Sequence, residues 1–181
     1  MSKENYIIDI SGLNKKYTLK NNQEIEIVSN IDLKIKFNSK ISLIGPSGSG
    51  KTTLLNILGL LDNEFEGQYL YKGKNVLNYS DIEKNKIRGL SIGFIHQFFH
   101  LIPELTVIEN VMLPILINKE EHKAYQYSKD ILNEFGLGDR LNFKPNKLSG
   151  GEQQRVAIAR SFVNNPDLIL ADEMTGNLDE D

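Results

Sequence analysis

The sequence predicts an α/β fold: a mixed sheet with an antiparallel N-terminal part and an inserted group of helices. Apolar residues at mostly even spacing over residues 1–40 indicate paired strands. A short apolar run at 41–44 then leads into a glycine-rich loop and a helical repeat of leucines. Two more short apolar runs, at 91–95 and 168–171, are typical of buried parallel strands. Together these patterns favour parallel strands joined by helices behind an antiparallel start.

The antiparallel start depends on five apolar residues at mostly even spacing, with a turn predicted at Ser29 and Asn30. The five are Ile25, Ile27, Ile31, Leu33 and Ile35. The helix after the glycine loop is predicted from leucines that fall on one helical face. Those leucines are Leu54, Leu55, Leu58 and Leu61.

Helical periodicity between the two later strands predicts an insertion of helices over about 98–159. Thr106 and Glu109 form a capping-box pattern ahead of an apolar run, which indicates one helix start. A second helix would end at Gly136, a residue that favours helix C-caps. Its apolar residues are Ala124, Ile131, Leu132 and Phe135.

Ser149 and Glu152 mark the start of a third helix, which would continue through Phe162 and stop at Pro166. The length of 181 residues suits a single domain. We therefore predict one domain over 1–181. Its core would be 1–97 and 160–181, and its helical subdomain about 98–159.

Composition excludes several classes of function. Lys plus Arg number 21 and Asp plus Glu 24, so a net charge of −3 offers no bulk attraction to nucleic acid. The chain has no cysteine, which excludes disulfides and thiolate metal sites. The charged N-terminus is not a secretory signal, and the apolar stretch 111–117 is far too short to span a bilayer. We expect a cytoplasmic protein without a membrane span of its own.

The strongest motif is the segment 45–52, which matches G-x-x-x-x-G-K-[ST] between a predicted strand and a predicted helix. Such a loop turns consecutive backbone amides toward a phosphate group. Lys51 would contact the β- and γ-phosphates, and the Thr52 hydroxyl would bind Mg²⁺. The predicted nucleotide-binding residues are Gly45, Pro46, Ser47, Gly48, Ser49, Gly50, Lys51, Thr52 and Thr53.

Two acids follow the apolar run at 168–171. At the end of a strand beside a phosphate loop, Asp172 would hold Mg²⁺ through water, and Glu173 would orient or deprotonate the attacking water. Acidic pairs at strand ends are often only solvated, and the phosphate loop is what favours the catalytic interpretation. Glu173, Lys51 and Gln97 are the predicted catalytic residues.

A second glycine loop, Leu148-Ser149-Gly150-Gly151-Glu152, precedes the third predicted helix. Alone it would indicate an N-cap and a flexible turn. Together with the phosphate loop and the Asp-Glu strand, in this order, it resembles the LSGGQ signature of ABC-type ATPases. The resemblance covers nearly the whole chain and implies a RecA-like P-loop core that binds ATP and Mg²⁺.

The resemblance also implies roles for single residues. Tyr17 would stack on adenine, although a half-buried strand tyrosine is the alternative. Gln97 would contact Mg²⁺ and sense a transmembrane partner, and Asp179 would lie in the D-loop. Ser149, Gly150, Gly151 and Glu152 would contact the ATP held by the opposite subunit, which implies a homodimer.

Two longer segments, 91–117 and 155–179, resemble more narrowly the ATP-binding subunits of lipoprotein-releasing systems (the LolD type). Relatives of that group in macrolide or peptide export and in cell division remain alternatives. The expected partners are polytopic permease subunits, at the cytoplasmic face of the inner membrane. The transported substrate is chosen by that partner.

The chain departs from the family pattern in three ways. Glu152 replaces the consensus glutamine, and Met174 replaces a proline. A switch histidine is expected well beyond the catalytic glutamate, but the last histidine is His122 and the sequence ends at Asp181. We therefore expect a C-terminally truncated core whose turnover is less certain than its ATP binding.

Three other functions fit parts of the sequence. A soluble ABC ATPase of DNA repair or translation usually carries long insertions, which this chain lacks. A nucleotide-binding protein with little turnover is favoured by the missing histidine. A P-loop kinase would leave the second glycine loop unexplained.

Overall fold

The structure is a computed structural model that describes residues 6–117 and 121–172. The chain divides between Asn85 and Lys86 into two compact units. Each unit is described in turn.

The first unit is built on an antiparallel sheet. Strands β1 (Tyr6–Thr18) and β2 (Glu24–Lys36) pair, and β1 also pairs with β3 (Glu66–Tyr71). A short β4 (Lys74–Asn75) extends the sheet, whose order is β2-β1-β3-β4. The antiparallel start predicted from the alternating isoleucines is confirmed.

The turn predicted at Ser29 and Asn30 is wrong. The hairpin turns earlier, where Leu19 donates to the Gln23 carbonyl at 2.8 Å. Asn30 lies inside β2 with a left-handed φ of 46°, at an irregularity in the β1–β2 register. Its amide donates to the Asn14 side chain at 2.7 Å. Asn30 therefore adopts its left-handed conformation in a β-bulge and not in the predicted turn.

The strand predicted at 41–44 is also absent. The structure assigns no strand there, and Ile44 is 91% exposed. A strand needs a hydrogen-bonded neighbour, and the part of the chain that the structure describes pairs no strand with these residues. The apolar composition is that of a strand, but the hydrogen-bonding partner that a strand requires is not a local property of sequence.

Helix α1 (Lys51–Leu58) follows the glycine loop as predicted, although it is shorter than the leucine pattern suggests. Leu54 and Leu58 are buried, whereas Leu61 lies beyond the helix and is half exposed. Gly59 ends the helix, and Leu60 then takes a positive φ of 59°. The core of this unit includes Ile8, Ile10, Leu13, Ile57, Leu60, Tyr69 and Val76.

The second unit contains two parallel strands and most of the helices. Helix α2 (Asp81–Ser91) runs into it from the first unit and leads directly to β5 (Ile92–Ile95). Strand β6 (Leu168–Ala171) pairs with β5 in parallel, with Ile95 opposite Ala171. Both buried parallel strands are therefore confirmed, with Ser91 belonging to the helix.

Among the described residues, three α-helices lie between these strands: α3 (Val107–Ile117), α4 (Glu121–Glu134) and α5 (Gly150–Phe162). Two short 3-10 helices, Gly138–Arg140 and Pro145–Lys147, lie between α4 and α5. Both predicted capping boxes form. The Thr106 amide and hydroxyl donate to the Glu109 carboxylate at 2.7 Å, and Ser149 caps α5. The helices enclose one core of Val107, Ile108, Val111, Leu132, Leu137, Leu148, Val156 and Ala159.

A buried asparagine fixes the loop that precedes α3. Asn110 is fully buried, and its side-chain oxygen accepts from the Ile102 amide at 2.8 Å. Its side-chain nitrogen donates to the carbonyls of Ile102, Leu105 and Thr106. One amide group thus satisfies the polar backbone of a turn against an otherwise apolar helix.

Candidate nucleotide-binding site

The phosphate loop, residues 45–50, immediately precedes α1. Gly50 is the N-cap of α1 and has a φ of 87°. A Cβ at Gly50 would lie 2.7 Å from the Ile27 carbonyl oxygen, so this position requires glycine in both conformation and space. No side chain caps α1. The first amides of an α-helix have no acceptor within the helix, so an anion bound in this loop could accept hydrogen bonds from them.

Lys51 places its charge inside the loop. The ammonium donates to the carbonyls of Gly45 at 2.9 Å and Pro46 at 2.8 Å. Ser49 closes the same turn, its amide donating to the Pro46 carbonyl at 3.3 Å. The loop is therefore already folded around the Lys51 ammonium, which a phosphate oxygen could contact.

A cavity of about 330 Å³ adjoins the loop. Its walls include Ile27, Ser29 and Ile31 of β2, with Pro46, Gly50 and Lys51 on the loop side. The volume is at the lower end of the range for small-molecule sites. Thr52, the predicted Mg²⁺ ligand, is exposed in the first turn of α1, and Thr53 is half-buried.

Tyr17 lies near the end of β1 and is 43% exposed. Its hydroxyl donates to Asp62 Oδ2 at 3.0 Å. Lys15, which is buried to 2% exposure, donates to the other carboxylate oxygen at 2.9 Å and to the Glu64 carbonyl at 2.6 Å. The Lys15 ammonium also lies over the Tyr17 ring, 4.7 Å from its centroid.

The Asp62 carboxylate is held ionised by this cluster. Burial alone would raise its pKa, but hydrogen bonds from Lys15, from the Glu64 amide and from Tyr17 outweigh burial and lower the pKa. The ionised form is therefore favoured in the folded protein.

We expect the stability contributed by Asp62 to disappear in acid. Because the folded-state pKa is below the unfolded value of about 3.9, the contribution is complete above that value and is lost as pH falls through the folded-state pKa. At pH 7, Asp62→Asn should lower the free energy of unfolding by about 1 to 3 kcal/mol, as expected for a hydrogen-bonded charge. Urea unfolding of both proteins as a function of pH measures the difference, which should shrink in acid. A difference that stayed constant from neutral pH into acid would contradict this role.

Gln97 and Asp172 lie at the carboxyl ends of neighbouring strands. Gln97 is exposed and follows β5 by two residues, and Asp172 follows β6 directly. The Asp172 amide donates to the Ile95 carbonyl at 2.9 Å, which extends the parallel pairing. The structure thus brings together two predicted Mg²⁺ ligands at one end of the second unit's sheet.

The residues around Gln97 are held by ring packing and by one arginine. The rings of Phe94 and His96 stack at a centroid distance of 5.5 Å, and His100 packs against the edge of His96 at 5.1 Å. Burial, followed by the charges of His100 and Arg160, lowers the pKa of His96. Arg160 of α5 donates to the carbonyls of Phe99 and His100, both at 2.7 Å.

The second glycine loop forms the N-terminus of α5. The Ser149 hydroxyl accepts from the Glu152 amide at 3.2 Å, and the Glu152 carboxylate accepts from the Ser149 amide at 2.8 Å. Arg140 also contacts Glu152, at 3.1 Å. These hydrogen bonds lower the pKa of Glu152. Gly150 and Gly151 form the exposed first turn, and a Cβ at Gly150 would meet nothing within 4 Å.

Sequence reasoning missed Lys15, Asp62 and Arg160. A signal existed for Lys15: it follows the buried Ile8, Ile10 and Leu13 on β1, where a lysine is unexpected. Asp62 and Arg160 carry no local signal, because their partners are distant in sequence.

Two predicted site residues, Glu173 and Asp179, lie outside the described residues, as do Met174 and the other positions up to Asp181. Among residues 6–117 and 121–172, no helix has the length and apolar character needed to cross a bilayer. Within the same ranges, no group of His, Asp and Glu forms a ready-made metal cluster.

Comparison with known proteins identifies the family. The ABC transporter family profile matches residues 28–176. The lipoprotein-releasing system ATP-binding protein LolD of Zymomonas mobilis is 44% identical over 177 residues, which cover 97% of this chain and 76% of that protein. The macrolide export ATP-binding/permease protein MacB of Bdellovibrio bacteriovorus is 46% identical, over 96% of this chain and 26% of its own length.

Solved structures agree. A dimeric, post-hydrolysis state of an ATP-binding cassette bound to ADP and Pi matches with a TM-score of 0.86 and 40% identity, covering 96% of this chain and 76% of that one. A dimeric bacterial ABC transporter cassette matches equally well, at 42% identity over 95% and 76%. The predicted fold class and the predicted resemblance are both confirmed. The chain belongs to the ABC transporter family of ATP-binding cassettes.

Proposed function

We propose that this chain is the ATP-hydrolysing subunit of a membrane transporter and that it works as a homodimer. The observation that carries the proposal is the phosphate loop, where Lys51 already lies inside a glycine turn at the uncapped start of α1. The partners would be polytopic permease subunits, and the dimer would bind at the cytoplasmic face of the inner membrane.

The loop would bind the phosphates of ATP by exchange of hydrogen bonds. Lys51 now donates to two loop carbonyls, and a β- or γ-phosphate oxygen would replace at least one of them as acceptor. The amides at the start of α1 would donate to the same phosphate group, and the helix dipole would add its partial positive charge. The loop itself needs little rearrangement, since its turn is already closed.

The chain also offers oxygen ligands suited to Mg²⁺, which prefers hard oxygen donors. These are the Thr52 hydroxyl, the Gln97 amide oxygen and the Asp172 carboxylate. Bound Mg²⁺ would neutralise the charge that develops on the transferred phosphoryl group. Glu173, directly after Asp172, would accept the proton of the attacking water, so that water oxygen bonds to the γ-phosphorus while the bond to the β-phosphate oxygen breaks.

The second glycine loop would contact the ATP held by the other subunit. Its exposed turn at Gly150 and Gly151 leaves amides at the start of α5 that an anion can approach. The two solved relatives described above are dimers, which supports this assembly. Two ATP molecules would then stabilise the dimer, and hydrolysis would release it.

Substitution of the proposed base provides the first test. We expect Glu173→Gln to lower magnesium-dependent ATP hydrolysis by at least about 100-fold, the scale of general-base catalysis, in the presence of the permease subunits. ATP binding should persist, so the variant should accumulate as an ATP-bound dimer. Phosphate release measures the first effect, and light scattering after gel filtration measures the second.

Glu134→Gln is the matched control, because Glu134 is exposed at the end of α4 and lies outside the proposed site. It should hydrolyse ATP at the wild-type rate. If the wild-type chain were no more active than Glu173→Gln, the enzymatic role would be disproved.

Within this family we propose release of lipoproteins from the inner membrane as the transport process. The support is the similarity to LolD proteins, which are named for a lipoprotein-releasing system. Depletion of the chain should leave mature lipoproteins in the inner membrane, and co-purification should recover a polytopic membrane protein. Normal lipoprotein sorting after depletion would contradict this assignment.

Export of a macrolide or peptide is the second candidate. Its support is the 46% identity with the MacB relative over 96% of this chain. The same depletion strain distinguishes the two processes, since an exporter subunit would alter sensitivity to the exported compound and leave lipoproteins correctly sorted.

A further inference from the structure

The function proposed above gives no role to three of the four residues in a cluster that includes Tyr17. The cluster comprises Lys15, Tyr17, Asp62 and Glu64, and all four lie in the first unit. Lys15 is 2% exposed. Lysine is almost never buried unless it is paired, so the burial of Lys15 depends on its partners in this cluster.

The cluster fixes the Tyr17 ring at two points. The hydroxyl donates to one oxygen of Asp62 at 3.0 Å, which sets the direction of the ring. The ammonium of Lys15 lies over one ring face at 4.7 Å from the centroid, a cation–π distance. Asp62 joins the two, because its second oxygen accepts from Lys15 at 2.9 Å. Tyr17 is 43% exposed, and a planar group would have to stack on the ring face that Lys15 does not cover.

Tyr17 is also on the strand next to the phosphate-loop cavity. It is paired with Ile25 of β2, and Ile27, two residues further along β2, lines the cavity. The loop that would bind the phosphates and the fixed ring therefore lie in the same unit. The tyrosine loses little conformational freedom when a base arrives, because its ring is already ordered.

We propose that Lys15 and Asp62 are positioning residues for the adenine base, which act by holding Tyr17 so that the ring face opposite Lys15 stacks on the base. The inference rests on the proposed function, since it requires ATP bound at the phosphate loop with its base on Tyr17. It assigns a role in nucleotide recognition to two residues that need not touch the nucleotide.

The test compares two ligands that share phosphates but differ in the base. Binding of ATP and of inorganic tripolyphosphate to the full chain is measured by calorimetry without magnesium, so that ATP stays intact. Base stacking on an aromatic ring contributes about 5- to 150-fold in affinity. Tyr17→Ala should remove that factor for ATP and leave tripolyphosphate binding unchanged.

The positioning residues should show the same selectivity with smaller effects. We expect Lys15→Met and Asp62→Asn each to weaken ATP binding about threefold to tenfold, the range of a cation–π contact, and to leave tripolyphosphate unaffected. The asparagine has only one oxygen, so it cannot accept from Lys15 and Tyr17 on separate oxygens. Tyr17→Phe, which loses only the hydroxyl, should weaken ATP binding in the same way.

Lys16→Met is the matched control, because Lys16 is the exposed neighbour of Lys15 and pairs with Glu24 at 3.3 Å. It should bind both ligands as the wild type does. Combined with Tyr17→Ala, neither Lys15→Met nor Asp62→Asn should weaken ATP binding further, since both act through the ring. Circular dichroism confirms that each variant is folded, and Tyr17→Phe retains a test if Lys15→Met does not fold.

Several results would overturn the inference. The first is that Asp62→Asn or Lys15→Met weakens ATP and tripolyphosphate equally, which would indicate a purely structural role. The second is that either variant still weakens ATP binding in the Tyr17→Ala background. If Tyr17→Ala itself left the ratio of the two affinities unchanged, base stacking would fail along with the inference, whereas a selective effect of Tyr17→Ala alone would refute only the positioning role.

Discussion

Replacing Lys51 with methionine is expected to weaken ATP binding roughly 10- to 150-fold, which corresponds to the loss of about 1.5 to 3 kcal/mol for a hydrogen bond to a charged group. The side chain keeps its length and loses its charge. In the wild type the ammonium already lies within 3 Å of two loop carbonyls, at 2.9 and 2.8 Å. Among the described residues, no other lysine or arginine lines the adjoining cavity. The described lining therefore offers no second cationic side chain that could replace the Lys51 ammonium.

Equilibrium binding of ATP, measured by calorimetry, tests this expectation. Lys40→Met is the control, since Lys40 is exposed and lies ahead of the loop in the same unit. It makes the same chemical change without removing a charge from the loop. An ATP affinity of Lys51→Met within twofold of that of Lys40→Met would show that the loop does not bind phosphate in the proposed way.

The second large effect is expected on stability. Gly93, inside β5, lies against α5. A Cβ added there would overlap the backbone carbonyl of Ser161 and lie 2.6 Å from Ile169 Cδ1. A backbone atom in a packed helix cannot turn aside as a side chain does. Gly93→Ala should therefore lower the free energy of unfolding by about 3 kcal/mol, at the upper end of the range for overpacked cores.

Urea unfolding followed by circular dichroism measures the loss. Gly150→Ala is the matched control, because its Cβ would meet nothing within 4 Å. The same added methyl group should change stability by no more than about 0.5 kcal/mol there. Equal unfolding midpoints for Gly93→Ala and Gly150→Ala would contradict the close approach of α5 to β5.

Elements with local signals were predicted well. The two capping boxes, at Thr106 and Ser149, form because each involves residues only three positions apart. The parallel strands at 92–95 and 168–171 were found because buried strands are almost wholly apolar. The phosphate loop was found because its glycine spacing is set by backbone geometry and not by the rest of the fold.

The errors arose where a distant partner decides the structure. The run at 41–44 has the composition of a strand, but a strand also needs a neighbour to accept its hydrogen bonds. Asn30 looked like a turn residue, and its left-handed backbone instead serves a bulge stabilised by Asn14. Lys15 looked like a solvated surface lysine because Asp62, its partner, is 47 positions away.

The hydroxyl of Tyr69 determines which end of α1 can move. Buried beneath the helix, it donates to the Leu58 carbonyl at 2.8 Å, and burial raises its pKa, so the proton stays in place. The last turn of α1 is therefore attached to the sheet, whereas the first turn ends in the open phosphate loop. An eight-residue helix is about 12 Å long, so a tilt of about 5° around Leu58 would displace the loop by about 1 Å. Any motion that accompanies the arrival or departure of a phosphate would then be a rotation about a fixed end, and the helix as a whole would not slide.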